Sequence, residues 1–231
     1  MPPKPPVPRE THAEIRCVTS LLPNATGSCE VSMNETMVMA AVHGPLAPRS
    51  DDREYSDEGK LSVSLKFAPF TNPSIPPNQS TSSRMTPSES LLAASVRSAL
   101  LPSLLLANLK TSMMSVHLEV LQDNGLVFEA AVTCASLALA DAGVEMMDMV
   151  SCCTVSLHGS DVMVMDPSTS ESDGEAGRVT IALMASTGNV NMYEQKGSLG
   201  MEELKRVSEL AKKGCKELTV STMRRAILSS S

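Results

Sequence analysis

The chain has 231 residues and only 2% aromatics, so a core of useful size must be built from Leu, Val, Ile, Ala and the 16 Met. Its formal net charge is -7, with three Phe, two Tyr and no Trp. It therefore lacks both the basic excess that phosphate contacts demand and the aromatic platforms that hold single strands, which argues against nucleic-acid binding by the isolated chain.

Residues 1 to 13 open with MPPKPPVPRE, which has no apolar core of a secretory signal and is expected to be a flexible Pro-rich arm. A single domain is expected over 14 to 231. Glu14 to Leu22, Gly27 to Asn34 and Thr36 to Val42 read as strands of an antiparallel meander, with a tight turn at Asn34-Glu35. Residues 47 to 59 are a charged loop. Leu61 to Phe70 alternates strictly and reads as a fourth strand of that meander. Residues 71 to 87 are rich in Pro, Ser, Thr and Asn and read as a loop expected to be mobile.

A helix is predicted from Pro87, with Thr86 as N-cap and Glu89 completing a capping box. Pro102 ends or kinks it. Ser115 to Gln122 is a strand, and Asp123-Asn124-Gly125 a turn. Val127 to Ala142 is apolar nearly all round, apart from Glu129, Thr133 and Ser136, so that helix is buried on several sides. Strands are predicted at Val150 to Leu157, Asp161 to Met165 and Arg178 to Ala185, the first two joined around His158-Gly159-Ser160. Met201 to Leu228 is one amphipathic helix, with Leu204, Val207, Ala211, Cys215 and Leu218 on its apolar face. This order gives an α+β fold class, with mixed sheets and packed helices.

Few constellations carry chemistry. No P-loop, dinucleotide fingerprint, nucleophile elbow or HExxH is present. Cys17, Cys29, Cys134, Cys152, Cys153 and Cys215 contain no CxxC pair and read as buried reduced thiols of an intracellular, soluble protein. His12, His43, His117 and His158 are scattered, so no metal site and no cofactor are expected. Asp166, Glu171, Asp173 and Glu175 form the one acidic cluster, read as a solvated loop except at Asp166, which ends an apolar strand and is expected to be fixed at a turn. Arg84 and Arg97 are placed at the start of the first helix, where arginines can hold phosphate, although surface charge is the plainer reading.

Several runs carry a resemblance: ALADAGVEMMDMV (138 to 150), VMVMDPS (162 to 168), GRVTIALM (177 to 184), KKGCKEL in the last helix, and KFAPF (66 to 70) before a Pro-rich loop. They resemble the RNase PH family, and within it the RNase PH-like ring subunits of the eukaryotic exosome, most of all the mRNA-transport-regulator type. The resemblance implies an RNase PH-like fold from about Glu14 to Leu228.

Active members of that family bind phosphate through a Gly-Thr-Arg run at the start of the central helix and degrade RNA from its 3′ end by phosphorolysis. Here Gly125 is kept, but Leu126, Val127 and Phe128 stand in that place, and apolar groups cannot neutralise a phosphate. Of the family's acidic residues only Asp166 matches; the distal acid falls near Ala176 or Gly177. The resemblance thus implies a non-catalytic ring subunit with a degenerate phosphate site and a degenerate acid site. Its implied partners are other RNase PH-like subunits in a hetero-hexameric ring, S1- or KH-type cap subunits and RNA threaded through the assembled pore, with no membrane. Its expected location is the nucleus and nucleolus, and also the cytoplasm. The alternative is an active phosphate-dependent 3′-to-5′ exoribonuclease.

Overall fold

The computed structural model describes residues 8–12, 14–46, 59–71, 86–109, 112–159, 162–171 and 174–230. Two sheets organise it. The first contains β1 (Ile15–Thr19), β2 (Gly27–Met33), β3 (Thr36–Leu46), β4 (Lys60–Phe67) and β5 (Met113–Gln122), in the order β1-β2-β3-β5-β4. The second contains β6 (Val150–His158), β7 (Val162–Met165), β8 (Gly177–Met184) and β9 (Val190–Gly197), in the order β7-β6-β8-β9.

The hairpin at Asn34-Glu35 forms as read, with Asn34 at φ 53° and Met33 paired with Thr36. The fourth strand departs from the expected meander. β4 does not follow β3 but runs parallel to β5 at the sheet edge, Leu61 opposite Met114 and Leu65 opposite Leu118. A parallel pair needs a crossover, and α1 (Pro87–Leu100) lies within it. Thr86 and Glu89 form the predicted capping box at its start.

α2 (Val127–Asp141) explains the apolar run. Twelve of its residues are buried, because the first sheet covers one side and Val150, Cys152, Ala182 and Met184 of the second sheet cover the other. The far face of the second sheet carries Cys153, Val155, Leu157, Val179, Ile181 and Leu183, packed under Val207, Ala211 and Cys215 of α3 (Met201–Leu218). The layers therefore run sheet, helix, sheet, helix. β6 is buried along its whole length because both of its faces are covered.

Two expectations are corrected and one is refined. β9 joins the second sheet beyond the strands expected there. The last helix runs as expected, with helical backbone throughout from Met201 to Ser230, but it carries a π-helical turn at Thr219–Met223 between α3 and α4 (Arg224–Ser230). The arm is docked in part, since Arg9 bridges Val164 beside β7 through Arg9 N–H to Met163 O (3.1 Å) and Met165 N–H to Arg9 O (2.9 Å). Residues 1–7, most of the loop at 71 to 87, and Asp173 lie outside the described residues. No described helix is long and apolar enough to cross a membrane.

Candidate functional site

The turn that the resemblance singles out lies between β5 and α2. Gly125 has φ +94°, and its N–H donates to Asp123 Oδ1 (2.8 Å). A β-carbon there would lie 2.9 Å from Thr169 Oγ1, because the loop after β7 closes over the turn through Thr169 N–H to Asn124 O (3.0 Å). The next three residues turn inward: Leu126 is 0% and Val127 7% exposed, and Phe128 is half-buried against the core. The helix start thus presents no hydroxyl or guanidinium from these positions. The charged group nearest in sequence is Glu129 in the first turn, which is buried and accepts a hydrogen bond from Thr154 Oγ1. Burial pushes its carboxyl above the usual range, and the Thr154 bond only partly offsets that.

Asp166 follows β7 and sits on the opposite face of the second sheet from Glu129. It adopts φ 53°, a conformation that Asp tolerates better than most residues, and its N–H donates to Thr154 O (2.9 Å). Its carboxylate is spent inside the protein. Oδ2 lies 2.6 Å from His12 Nδ1, and Oδ1 lies 3.8 Å from Cys153 Sγ. The other ring nitrogen of His12, Nε2, is 2.7 Å from Gly214 O. A carbonyl only accepts, so Nε2 carries a hydrogen; a proton must also lie between Nδ1 and the carboxylate. Burial lowers the affinity of His12 for that proton, but the bond and charge of Asp166 and the Gly214 carbonyl outweigh burial and leave its pKa raised.

This clasp exists because α3 comes very close to β6. A β-carbon on Gly214 would lie 2.9 Å from Cys153 Sγ and 3.0 Å from Met165 Cε. Arg9 closes the other side, its guanidinium donating to Met165 O, Asp166 O and Glu171 Oε2, the last at 3.0 Å. The acidic loop is therefore not simply solvated. Glu171 pairs with Arg9 and Glu175 with Arg178, each carboxylate side chain only 23% exposed.

The remaining expected residues do not converge on this place. Arg84 lies outside the described residues. Arg97 is not at the start of α1 but in its last turn, where its Nε donates to Leu61 O (2.8 Å) on edge strand β4. Glu89 takes the Phe67 N–H on the same strand (3.0 Å), so two side chains of α1 cap two backbone groups of that edge. At the place of the distal acid, Ala176 carries no carboxylate. A β-carbon at Gly177 would lie 2.7 Å from Leu199 Cγ, which leaves no room for one. These residues do not fit the magnesium that a pair of exposed carboxylates would hold.

A helix buried between two sheets, with a glycine turn at its start and a strand-terminal aspartate nearby, defines the architecture of RNase PH-type proteins. The sequence agrees. Residues 13–145 match the 3′ exoribonuclease family, domain 1, and residues 148–214 match its domain 2. The chain belongs to this RNase PH family. It is 30% identical to the exosome complex component Rrp41 of Thermococcus gammatolerans, over 90% of this chain and 80% of that protein. It is 31% identical to the Rrp41 of Pyrobaculum neutrophilum, over 87% and 80%. Rice Rrp46 superposes with a TM-score of 0.78 at 17% identity, covering 93% of this chain and 95% of that one. A chain of the Archaeoglobus fulgidus exosome with RNA bound to the active site gives 0.76 at 19%, covering 92% and 89%.

Proposed function

We propose that this chain is a catalytically silent ring subunit of an RNA exosome. It supports 3′-to-5′ RNA processing and degradation by assembly rather than by chemistry. The observation that carries the reading is the start of α2, where Leu126 and Val127 are buried and Phe128 is half-buried against the core, at the place where the resemblance puts the family's phosphate-binding run. Phosphorolysis needs a phosphate held and neutralised there, and an apolar turn with a carboxyl in its first helical turn opposes that. The buried Asp166 and the crowded Gly177 support the same reading. The Rrp41 relatives, named as exosome complex components, support assembly with partner subunits. On this reading the partners are RNase PH-like subunits in a six-membered ring, with S1- or KH-type caps and RNA passing through the assembled pore. The working location is the nucleus, nucleolus and cytoplasm.

The test is single-stranded RNA incubated with the purified chain, inorganic phosphate and Mg²⁺. The expected result is no nucleoside diphosphate release. Release that disappears in Asp166→Asn would establish the active exoribonuclease instead. Native mass spectrometry of the affinity-purified chain tests the assembly half of the reading: a complex of different RNase PH-like subunits is expected, and a solitary monomer refutes it.

A further inference from the structure

We propose that His12, Cys153 and Asp166 form a Zn²⁺ site that fastens the N-terminal segment to the second sheet. The three residues come from three separate stretches of chain: the segment before β1, strand β6 and the end of β7. Their ligand atoms nevertheless all lie within 4.8 Å of one another. Asp166 is 1% and Cys153 0% exposed, and the His12 side chain is 12% exposed, so among the described residues the cluster is largely enclosed, with His12 its most accessible member.

The orientation of His12 is that of a ligand. Its Nε2–H donates to the Gly214 carbonyl, and Nδ1 faces the cluster. A metal-bound imidazole characteristically gives its second N–H to a carbonyl or carboxylate, which fixes the tautomer. The donor set of one nitrogen, one sulfur and one oxygen suits zinc and not the oxygen-seeking Mg²⁺ or Ca²⁺. The neighbouring Cys215 thiol is not part of the cluster and donates to Ile181 O (3.4 Å).

Spacing and charge both permit the exchange. Tetrahedral zinc with bonds of about 2.0–2.3 Å spaces its ligands about 3.3–3.8 Å apart. Cys153 Sγ lies 3.8 Å from Asp166 Oδ1 and His12 Nδ1 lies 2.6 Å from Asp166 Oδ2, so the carboxylate must turn to offer one oxygen to the metal and His12 Nδ1 must draw back from Oδ2 by about 0.7 Å to reach that range. His12 belongs to a short docked segment rather than to a strand, so it is the ligand free to give way. Without metal, His12 and Asp166 share one proton across the Nδ1–Oδ2 bond and Cys153 carries its own, so the pocket sums to zero whichever partner holds the shared proton. Zn²⁺ displaces the shared proton and the thiol proton, leaving imidazole, carboxylate, thiolate and the dication, which again sum to zero. No net charge is buried by the exchange, and two protons leave to solvent. The Arg9 guanidinium alongside is balanced by Glu171.

The test uses the full chain after treatment with chelator, and it is read independently of any nuclease assay. Co²⁺ serves as the spectroscopic probe. A thiolate-to-cobalt charge-transfer band is expected in the wild type and is expected to vanish in Cys153→Ser. His43 and His117, whose rings lie 5.6 Å apart, offer imidazoles but no thiol and cannot produce that band. The second measurement is tryptic cleavage after Arg9, which requires the segment to undock. Zn²⁺ at one hundred times its Kd is expected to slow cleavage about a hundredfold, because only the docked state binds it. His12→Gln keeps a donor toward Gly214, leaves the circular dichroism unchanged and is expected to lose the protection. It carries the test should Cys153→Ser not fold. Absence of the band in the wild type, its persistence in His12→Gln, or cleavage that ignores Zn²⁺ overturns the proposal.

Discussion

Replacing His12 by Ala leaves the Asp166 carboxylate buried without its partner. Breaking a buried pair from one side costs about 3–5 kcal/mol, because the remaining charge loses its compensation. The His12 side chain is 12% exposed and Arg9 still binds the Asp166 carbonyl, which places the loss near the lower end, at about 3 kcal/mol. In a chain of this size each kcal/mol lowers Tm by about 2–4 °C, so a fall of about 6–12 °C is expected. The assay is thermal unfolding followed by circular dichroism, with EDTA present so that metal plays no part. Wild type, His12→Ala, Asp166→Asn and the double variant are compared. The double variant should cost less than the sum of the single ones, since the two side chains act as a pair. The sign of the pH dependence is also set. The folded pKa of His12 lies above 6.5, so the stabilisation is fully present below 6.5 and is lost as pH rises through the folded value. A loss under about 0.5 kcal/mol, as for an exposed ion pair, or strict additivity refutes the reasoning.

Glu129→Gln should stabilise the protein at neutral pH. The folded pKa of this buried carboxyl is above 4.5, so wild-type stability declines as pH rises from 4.5 through the folded value, and the amide removes that decline; equal slopes in the two proteins would count against it. Gly27→Ala should lower stability by about 1–3 kcal/mol, measured by urea unfolding, because a β-carbon at the start of β2 would sit 2.5 Å from Ala138 O on α2. An unchanged midpoint would show that the strand and helix can separate without cost.

Local chemistry was the most legible part of the sequence. The Thr86–Glu89 capping box, the Asn34-Glu35 turn and the apolar circumference of α2 each depend on residues close in the chain, and each formed as read. The strand pairing of β4 was hidden because the strand it joins, β5, comes only after α1, and alternation in LSVSLKF says which residues face the core but not which neighbour is beside them. β9 escaped notice because VNMYEQKG is an edge strand with mostly exposed side chains, so its alternation is weak; the pairing of Tyr193 with Ile181 shows its register. The apolar run Leu126 to Phe128 was readable in the sequence and packs against the core; that it replaces a phosphate site is what the family resemblance implies. The clasp was not visible at all. His12 lies 154 residues from Asp166, and the scatter of histidines that argued against a ligand cluster says nothing about which ones the fold brings together.

The position of α2 has a further consequence, for the chain as it is made. The helix lies within the first family domain, yet Ser136 accepts the N–H of Val150, Glu129 is bonded to Thr154, and its second apolar side is closed by strands ending at Met184. During synthesis, therefore, a largely apolar helix must wait for about 40 more residues before its cover exists, a delay of about 2–8 s at ordinary elongation rates. A chain halted between the two sheets would carry a hydrophobic surface that chaperones bind and proteases clear. Quality control thus sees the two halves as one object, accepted together or discarded together.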